Sequence, residues 1–403
     1  ASEQHSLFPY SCRSLTKGRY ADSRPMYLRD RKSTLPRSLI FYETLKHKGK
    51  RKVTSPTEEY RGWCTRLALE LESHRPNVVV SCGVEATKAL CGVDKITHYR
   101  GSILPSTLVP GLKVIPMIHP AMIYHSAQWQ ELYISGRIMK DKVVPESKFP
   151  EIRHLPWHET TVDTSPIPVS TVEEFVRAAV GHRWCLDLET RGRTISCVGL
   201  GFSPYERKGN EVVLVVPIQT TTGPHYTPSD EHQIWCLISR LAKENPLLVG
   251  QNLMYDLDWL LTYGIECNVY MDTMLGFHLM YPELPKKLEF LTMLYDDIPY
   301  YKEEGKTWGK RQPDVSVYHY CAKDVVTTLR ASWGIEADPR WSTVSARYFN
   351  YTNRLIPISL EMQKRGFDVA SIDLMCLAQI TERELTSIHE DLVELAGHEV
   401  NTA

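Results

Sequence analysis

The sequence predicts an α/β fold: a mixed sheet with helices against it in the central block, a smaller partial α/β unit before it, and helices alone after it. Three observations carry this. Between Arg75 and His119, β-branched runs end in glycine turns and lead into helical spacing. Between Trp184 and Leu329 the order is strand, strand, strand, helix, strand, helix. Beyond Ser345 the apolar period is helical throughout, with no strand pattern of comparable length.

Composition limits the possibilities. A chain of 403 residues should hold two to three domains, each burying its own core. The formal charge of −1 gives no global attraction to nucleic acid, so any such contact must come from local patches. Ten cysteines are scattered singly, with no C-x-x-C pair, which fits a reducing compartment. No apolar run approaches the ~20 residues a membrane span needs, and the first ten residues lack a signal-peptide core, so an intracellular, cytoplasmic protein without a membrane partner is expected.

Residues 1 to about 60 are polar and basic. The run Lys46-His47-Lys48-Gly49-Lys50-Arg51-Lys52 reads as a solvated loop, with a phosphate-contacting loop as the alternative. Pro56 to Ser73 reads as a helix carrying Trp63, Leu67, Leu69 and Leu71. Arg75 to Gly83 reads as a buried strand running into a glycine turn, Glu85 to Leu90 as a helix ending near Gly92, and Leu112 to Pro120 as a second strand with His119 at its end. Gly83, Ala86 and Leu90 form G-x-x-A-x-x-x-L; Arg100-Gly101 and His119-Pro120-Ala121 follow. This string resembles the C-terminal portion of the uracil-DNA glycosylase superfamily, over roughly 35 to 140. The resemblance makes His119 a candidate contact to a flipped base. The family's glycine-rich water-activating segment has no equivalent, and Lys48 stands where its iron–sulfur branch needs a cysteine. Glycosylase activity is therefore not expected.

The stretch 145–169 has linker composition. Thr171 to Glu174 offers a capping box for the helix that follows. In Trp184-Cys185-Leu186-Asp187-Leu188-Glu189-Thr190, period two puts Asp187 and Glu189 on one face and Leu186 and Leu188 on the other. Paired carboxylates at a buried strand repel, and a divalent cation between them relieves the repulsion. Strands are expected at 195–201 and 212–217, a helix near 229–243, and a strand at Val249. A helix then carries Asp256 off its apolar stripe, and after a short strand another helix begins at Asp272. Leu288 to Tyr295 reads as helix and 300–311 as a polar, lysine-rich loop. On the helix over Tyr318 to Leu329, Tyr320 and Asp324 are four apart and share a face. Asp258, Tyr318 and His319 read as surface or core residues, and Cys185, Cys197 and Cys321 as small core residues.

L-D-L-E-T, G-Q-N-x-x-Y-D, D-T-M-L and Y-x-x-x-D, in that order, resemble the 3′–5′ exonuclease domain of family-A, polymerase-I-like DNA polymerases, and the run from Leu284 to Lys302 is most like the phage members. The resemblance implies a ribonuclease-H-like fold and a proofreading exonuclease using two Mg²⁺ or Mn²⁺ ions. It makes Asp187, Glu189, Asp256 and Asp324 the metal ligands and Tyr320 the residue that orients water with Glu189. Thr190 and Asn252 become candidate contacts to the terminal nucleotide. The implied partners are a single-stranded 3′ end of DNA and a primer–template, with a deoxynucleoside monophosphate as product. Helical stretches Ser345–Arg365 and Asp373–Ala396 resemble the start of the polymerase thumb.

The expected domains are 1–144 glycosylase-like, 145–169 linker, 170–335 exonuclease and 336–403 truncated thumb, as a fragment of a longer polymerase. An RNA 3′ exonuclease of ribonuclease D type shares Y-x-x-x-D and is the rival enzyme; a non-catalytic DNA-binding scaffold is the rival of another class.

Overall fold

In the computed structural model of the chain, which describes residues 42–46, 52–56, 58–124, 167–306 and 314–401, the D-x-E strand is the middle strand of a five-stranded mixed sheet. Strands β6 (Trp184–Arg191), β7 (Thr194–Phe202) and β8 (Val212–Pro217) form an antiparallel meander. A two-residue hairpin, β9 (Gln219–Thr220) with β10 (Gly223–Pro224), follows β8, and on the other side of β6, β11 (Leu248–Gly250) and β12 (Val269–Asp272) pair in parallel. A helix follows β11, as parallel neighbours require a crossover: α6 (Met254–Thr262) joins β11 to β12. The α/β class and the ribonuclease-H-like mixed sheet are thus those expected.

The first unit is smaller. A hairpin of β1 (Tyr42–Lys46) and β2 (Lys52–Pro56) precedes helix α1 (Glu58–His74). The tip of the basic run, 47–51, lies outside the described residues. Strands β3 (Val78–Cys82), β4 (Leu104–Pro105) and β5 (Lys113–Met117) make a sheet in the order β3-β5-β4, with β3 parallel to β5. Helix α2 (Val84–Cys91) ends at Gly92, whose φ of 73° is the left-handed cap that glycine adopts without strain. A short helix α3 (Ile96–Tyr99), absent from the sequence expectation, follows.

Helix α4 (Val169–Ala179) begins one turn earlier than the expected capping box, with Pro168 before it, so Thr171 lies inside the helix and caps nothing. Pro168 is the N-cap, extended at ψ 140°, where its missing N–H costs the helix nothing. Helix α5 (Pro228–Glu244) is capped by Thr227, whose side chain accepts from the Asp230 N–H. Helices α7 (Thr273–Met280), α8 (Leu288–Tyr295), α9 (Glu303–Lys306) and α10 (Asp314–Ala337) complete the block. The loop expected at 300–311 therefore holds a helical turn at α9, and 307–313 lie outside the described residues.

Helix α10 lies across β6, β7 and β8. Gly199 and Gly201, two apart on β7, permit that approach: a Cβ at Gly199 would stand 2.5 Å from the Cys321 sulfur, and one at Gly201 would run into Val325. We expect Gly201→Ala to cost about 1–3 kcal/mol in chemical denaturation, as overpacking of a filled core does. The same change should lower any activity depending on α10, because it displaces Tyr320 and Asp324 together.

The sequence expectation ends the central block at 335, but its packing runs on. Trp341 on α11 (Trp341–Arg347) and Tyr348 join the core of Phe277, Leu291 and Ile335, and a single compact unit takes in the central block together with the smaller α/β part before it, up to Asn353. The single helix expected at 345–365 is interrupted by a π turn, Tyr348–Thr352, before α12 (Asn353–Arg365). The Tyr348 hydroxyl accepts from the Asp272 N–H at 2.8 Å, and Pro357 cannot donate to the carbonyl one turn back, so the regular ladder is broken there. The second unit, 354–403, holds most of α12 and the helix α13 (Ser371–Ala396), ended by Gly397 at φ 68°. Leu374, Leu377, Leu385 and Ile388 of α13 are exposed. No helix among the described residues is long and apolar enough to cross a membrane.

Candidate active site

The alternation of β6 sorts its side chains as its sequence predicts. Leu186 and Leu188 are in the core, while Asp187 and Glu189 face a cavity of about 830 Å³. Pairing with β7 shifts register between Glu189 and Thr190, an irregularity of the kind that re-aims a side chain beside a site. Thr190 is turned out of the cavity and its hydroxyl lies 2.6 Å from that of Tyr255. Asn252, on the turn after β11, does line the cavity and holds a left-handed backbone (φ 59°), which asparagine tolerates.

Asp272 organises that turn. Buried and N-capping α7, it accepts from the Asn252 N–H (3.2 Å), the Leu253 N–H (2.9 Å) and the Met274 N–H (2.9 Å). One carboxylate thereby fixes both the entry to α6 and the start of α7.

Asp324 and Tyr320 reach the same cavity from α10. Asp256 is not on the cavity wall. It is buried behind β6, and its Oδ1 accepts from the Leu188 N–H, midway between Asp187 and Glu189, at 2.9 Å. So the structure draws the four expected acids together: three face one space and the fourth braces the strand that carries two of them. Ligand atoms of Asp187, Glu189 and Cys321 lie within 4.8 Å of one another.

Crowding shows in the acidities. Burial, followed by the charge of Asp324, pushes the Asp187 carboxyl up to about 7 from 3.8. Burial and then Asp187 raise Glu189 and Asp256 well above the carboxylate range, although the Leu188 N–H pulls Asp256 partly back. Burial, with Asp324 next, also raises Tyr320, which stays a phenol at neutral pH. Cys321 is raised well above its ordinary value by burial. A protonated thiol is a poor ligand, and the other donors are hard oxygens, so the donor set fits an oxygen-loving divalent cation.

One residue missed in the sequence stands at the centre. Lys302 places its ammonium 2.6 and 2.5 Å from the two Asp324 oxygens and 3.0 Å from the Tyr320 hydroxyl. Burial works against that charge, but Asp324 more than offsets it, and the group sits above its ordinary value. Tyr301 next to it donates to Asp324 at 2.5 Å. No sequence signal singles Lys302 out of its polar stretch, because its partners lie 18 and 22 positions away. Lys286 and Lys287 also line the cavity, as do Met274 and Leu288.

His119 is elsewhere. It lines a second cavity of about 420 Å³ between the 58–124 segment and α8, with Gly83, Arg100 and Phe290, and its Nδ1 accepts from the Ala121 N–H at 3.0 Å. The two cavities share Lys287 and Glu289 on their rims. Leu260 is core, and Tyr318 is core as expected.

Asp187 in the folded, metal-free chain keeps its proton up to about pH 7, whereas the unfolded chain releases it near 3.8. The folded state binds the extra proton between those values, so this group's contribution to stability falls as pH rises through that window and is flat above it. A cation displaces the proton. The rise in Tm caused by Mn²⁺ is therefore expected to grow from about pH 5 to about pH 8; a scanning calorimetry series at fixed Mn²⁺ reads it.

Comparison with known proteins agrees with this geometry. Residues 177–332 match a family described as 3′–5′ exonuclease. DNA polymerase I of Rhizobium leguminosarum is 28% identical over 170 residues, covering 40% of this chain. The aligned stretch spans only 17% of that relative's length. The mixed sheet and the acidic cavity lie in the same residues, so the central block of the chain is similar to a 3′–5′ exonuclease domain in sequence and carries the acidic site within that similarity.

Proposed function

We propose that this chain removes nucleotides from the 3′ end of DNA as the proofreading exonuclease of a family-A DNA polymerase, acting on a single-stranded end from a primer–template. The observation that supports it most is the convergence of Asp187, Glu189 and Asp324 on one cavity, with Asp256 bonded to the strand between the first two. Asp187, Glu189 and Asp324 would hold Mg²⁺ or Mn²⁺ ions directly, and Asp256, set back from the cavity wall, would act on a second ion through water. Such ions lower the pKa of bound water and stabilise the departing 3′ oxygen.

The chain's own groups supply the rest. The Tyr320 phenol and Glu189 orient the attacking water. Its oxygen bonds to the terminal phosphorus as the bond from phosphorus to the 3′ oxygen breaks, releasing a deoxynucleoside monophosphate and a chain one residue shorter. Lys286 and Lys287 on the rim attract the backbone phosphates. Met274 and Leu288 offer an apolar surface to the terminal base, and Asn252 a polar contact to its sugar or base. Thr190, bonded to Tyr255, serves by buttressing the end of β6.

The test uses 3′-terminated DNA and RNA oligonucleotides of one sequence, with Mn²⁺ and without. Metal-dependent shortening of the DNA from its 3′ end is expected, and preference for RNA would favour the ribonuclease D reading. Tyr320→Phe is expected to slow the DNA reaction by about 10- to 100-fold, the lower range for a group that positions a proton-carrying nucleophile.

A further inference from the structure

Lys302 belongs to a strap, 296–306, that touches both the acidic cavity and the first unit. On the cavity side, Glu304 pairs with Lys323 of α10 at 2.7 Å. Gly305 lies so near the Tyr320 ring that a Cβ there would stand 3.0 Å from it. On the other side the strap is gripped by 95–102. Glu303 accepts from Lys95 at 3.0 Å and pairs with His98 at 3.1 Å. The Tyr300 ring stands between those of His98 and Tyr99, 4.9 and 5.2 Å away centre to centre, and its N–H donates to Ser102 Oγ at 3.3 Å. Lys302 falls between Tyr300 and Glu303, the two residues held from outside the central block.

We infer that the 58–124 unit is a positioning element of the exonuclease site: by holding Tyr300 and Glu303 it sets where Lys302 stands against Asp324 and Tyr320. Half-exposed ion pairs stabilise little singly. Two aromatic contacts, a backbone hydrogen bond and a forked ion pair within four residues fix a geometry all the same, and an ammonium between two cation-binding groups is sensitive to small displacement. The inference gives the first unit a task that needs no open base pocket. It also makes Lys302 a resident counter-ion that a divalent cation must move off Asp324.

The inference deepens the exonuclease reading, and a double-mutant cycle on the full chain separates the two. His98→Ala with Lys95→Ala loosens the grip far from the acids, and Lys302→Met removes what it positions. Isothermal calorimetry with Mn²⁺ should show Lys302→Met binding the ion about tenfold more tightly, since a competing charge is gone. His98→Ala/Lys95→Ala should give a gain of about threefold, and no further gain in the Lys302→Met background. On DNA the grip variant should lose kcat about three- to tenfold at unchanged KM. Lys95 is half exposed, so Lys95→Glu alone folds as the parent does and must move Mn²⁺ affinity in the same direction. An unchanged Mn²⁺ affinity in the grip variants, or an effect that persists undiminished without Lys302, overturns the inference even where the parent degrades DNA. A parent that degrades no DNA but keeps the cycle overturns the exonuclease reading alone.

Discussion

Asp187→Asn combined with Glu189→Gln is expected to abolish metal-dependent trimming while raising the stability of the metal-free chain. The two effects have one cause. Both carboxyls sit on one strand face, buried, with Asp324 opposite, and both are pushed above the ordinary carboxylate range. Without a cation, ionising them at neutral pH costs stability, and neutral amides of the same shape remove that cost. The amides also remove the charge that would hold the ions and one group that orients water. The loss in rate is expected to be about 10⁴-fold or more, since both general-base function and ion binding are gone. Trimming is followed on a labelled 3′ oligonucleotide in Mn²⁺, and stability by thermal unfolding in a chelator. A double variant that is less stable than the parent in chelator would show that the carboxylates are not in conflict. A variant that still trims at the parent rate would remove them from the chemistry.

What the sequence made legible follows from the range of the forces involved. Asp187 and Glu189 could be read because period two is local, and Tyr320 and Asp324 because helical spacing is local. Their convergence was inferred from the order of four motifs. Lys302 was invisible for the opposite reason: its partners are 18 and 22 positions away, and the residues around it look like any solvated loop. Thr190 misled because the resemblance alone placed it at the site, whereas period two sets it on the face opposite Asp187 and Glu189, where its hydroxyl meets that of Tyr255. The π turn at Tyr348–Thr352 escaped because apolar period alone cannot show that one tyrosine hydroxyl will be recruited by the Asp272 backbone. Asp272 itself looked like the first residue of a helix, which it caps; its hold on the Asn252 turn depends on β11 and β12 being neighbours.

The largest effect on stability is expected away from the acids, at Arg330 on α10. Its guanidinium donates to both Glu211 oxygens, at 2.6 and 3.1 Å, and to Asp296 at 3.0 Å. All three side chains are nearly out of reach of solvent. Glu211 precedes β8 and Asp296 ends α8, so one side chain ties the sheet edge, α8 and α10 together. Burial pushes the Asp296 carboxyl up, and the Arg330 charge is the largest influence opposing it. A buried ion pair need not stabilise relative to apolar residues, but removing one partner strands the others. Arg330→Met takes the guanidinium from buried Glu211 and leaves Asp296 with half-exposed Lys208 at 3.8 Å as its remaining cation, and we expect a cost of about 3–5 kcal/mol in urea unfolding. Arg330→Lys should cost less but remain clearly destabilising, because one ammonium cannot bond Glu211 through two nitrogens and reach Asp296 as well. Adding Glu211→Gln and Asp296→Asn to Arg330→Met should recover part of the loss by removing the stranded charges. Asp296 is also where the strap bearing Lys302 begins, so Arg330→Met should shift Mn²⁺ affinity too, through a residue that touches none of the metal-binding acids. A cost below about 1 kcal/mol for Arg330→Met would show that water reaches the triad, and that the helix carrying Asp324 is held by its packing and by its other ion pairs, Arg183–Glu336 and Arg191–Asp314.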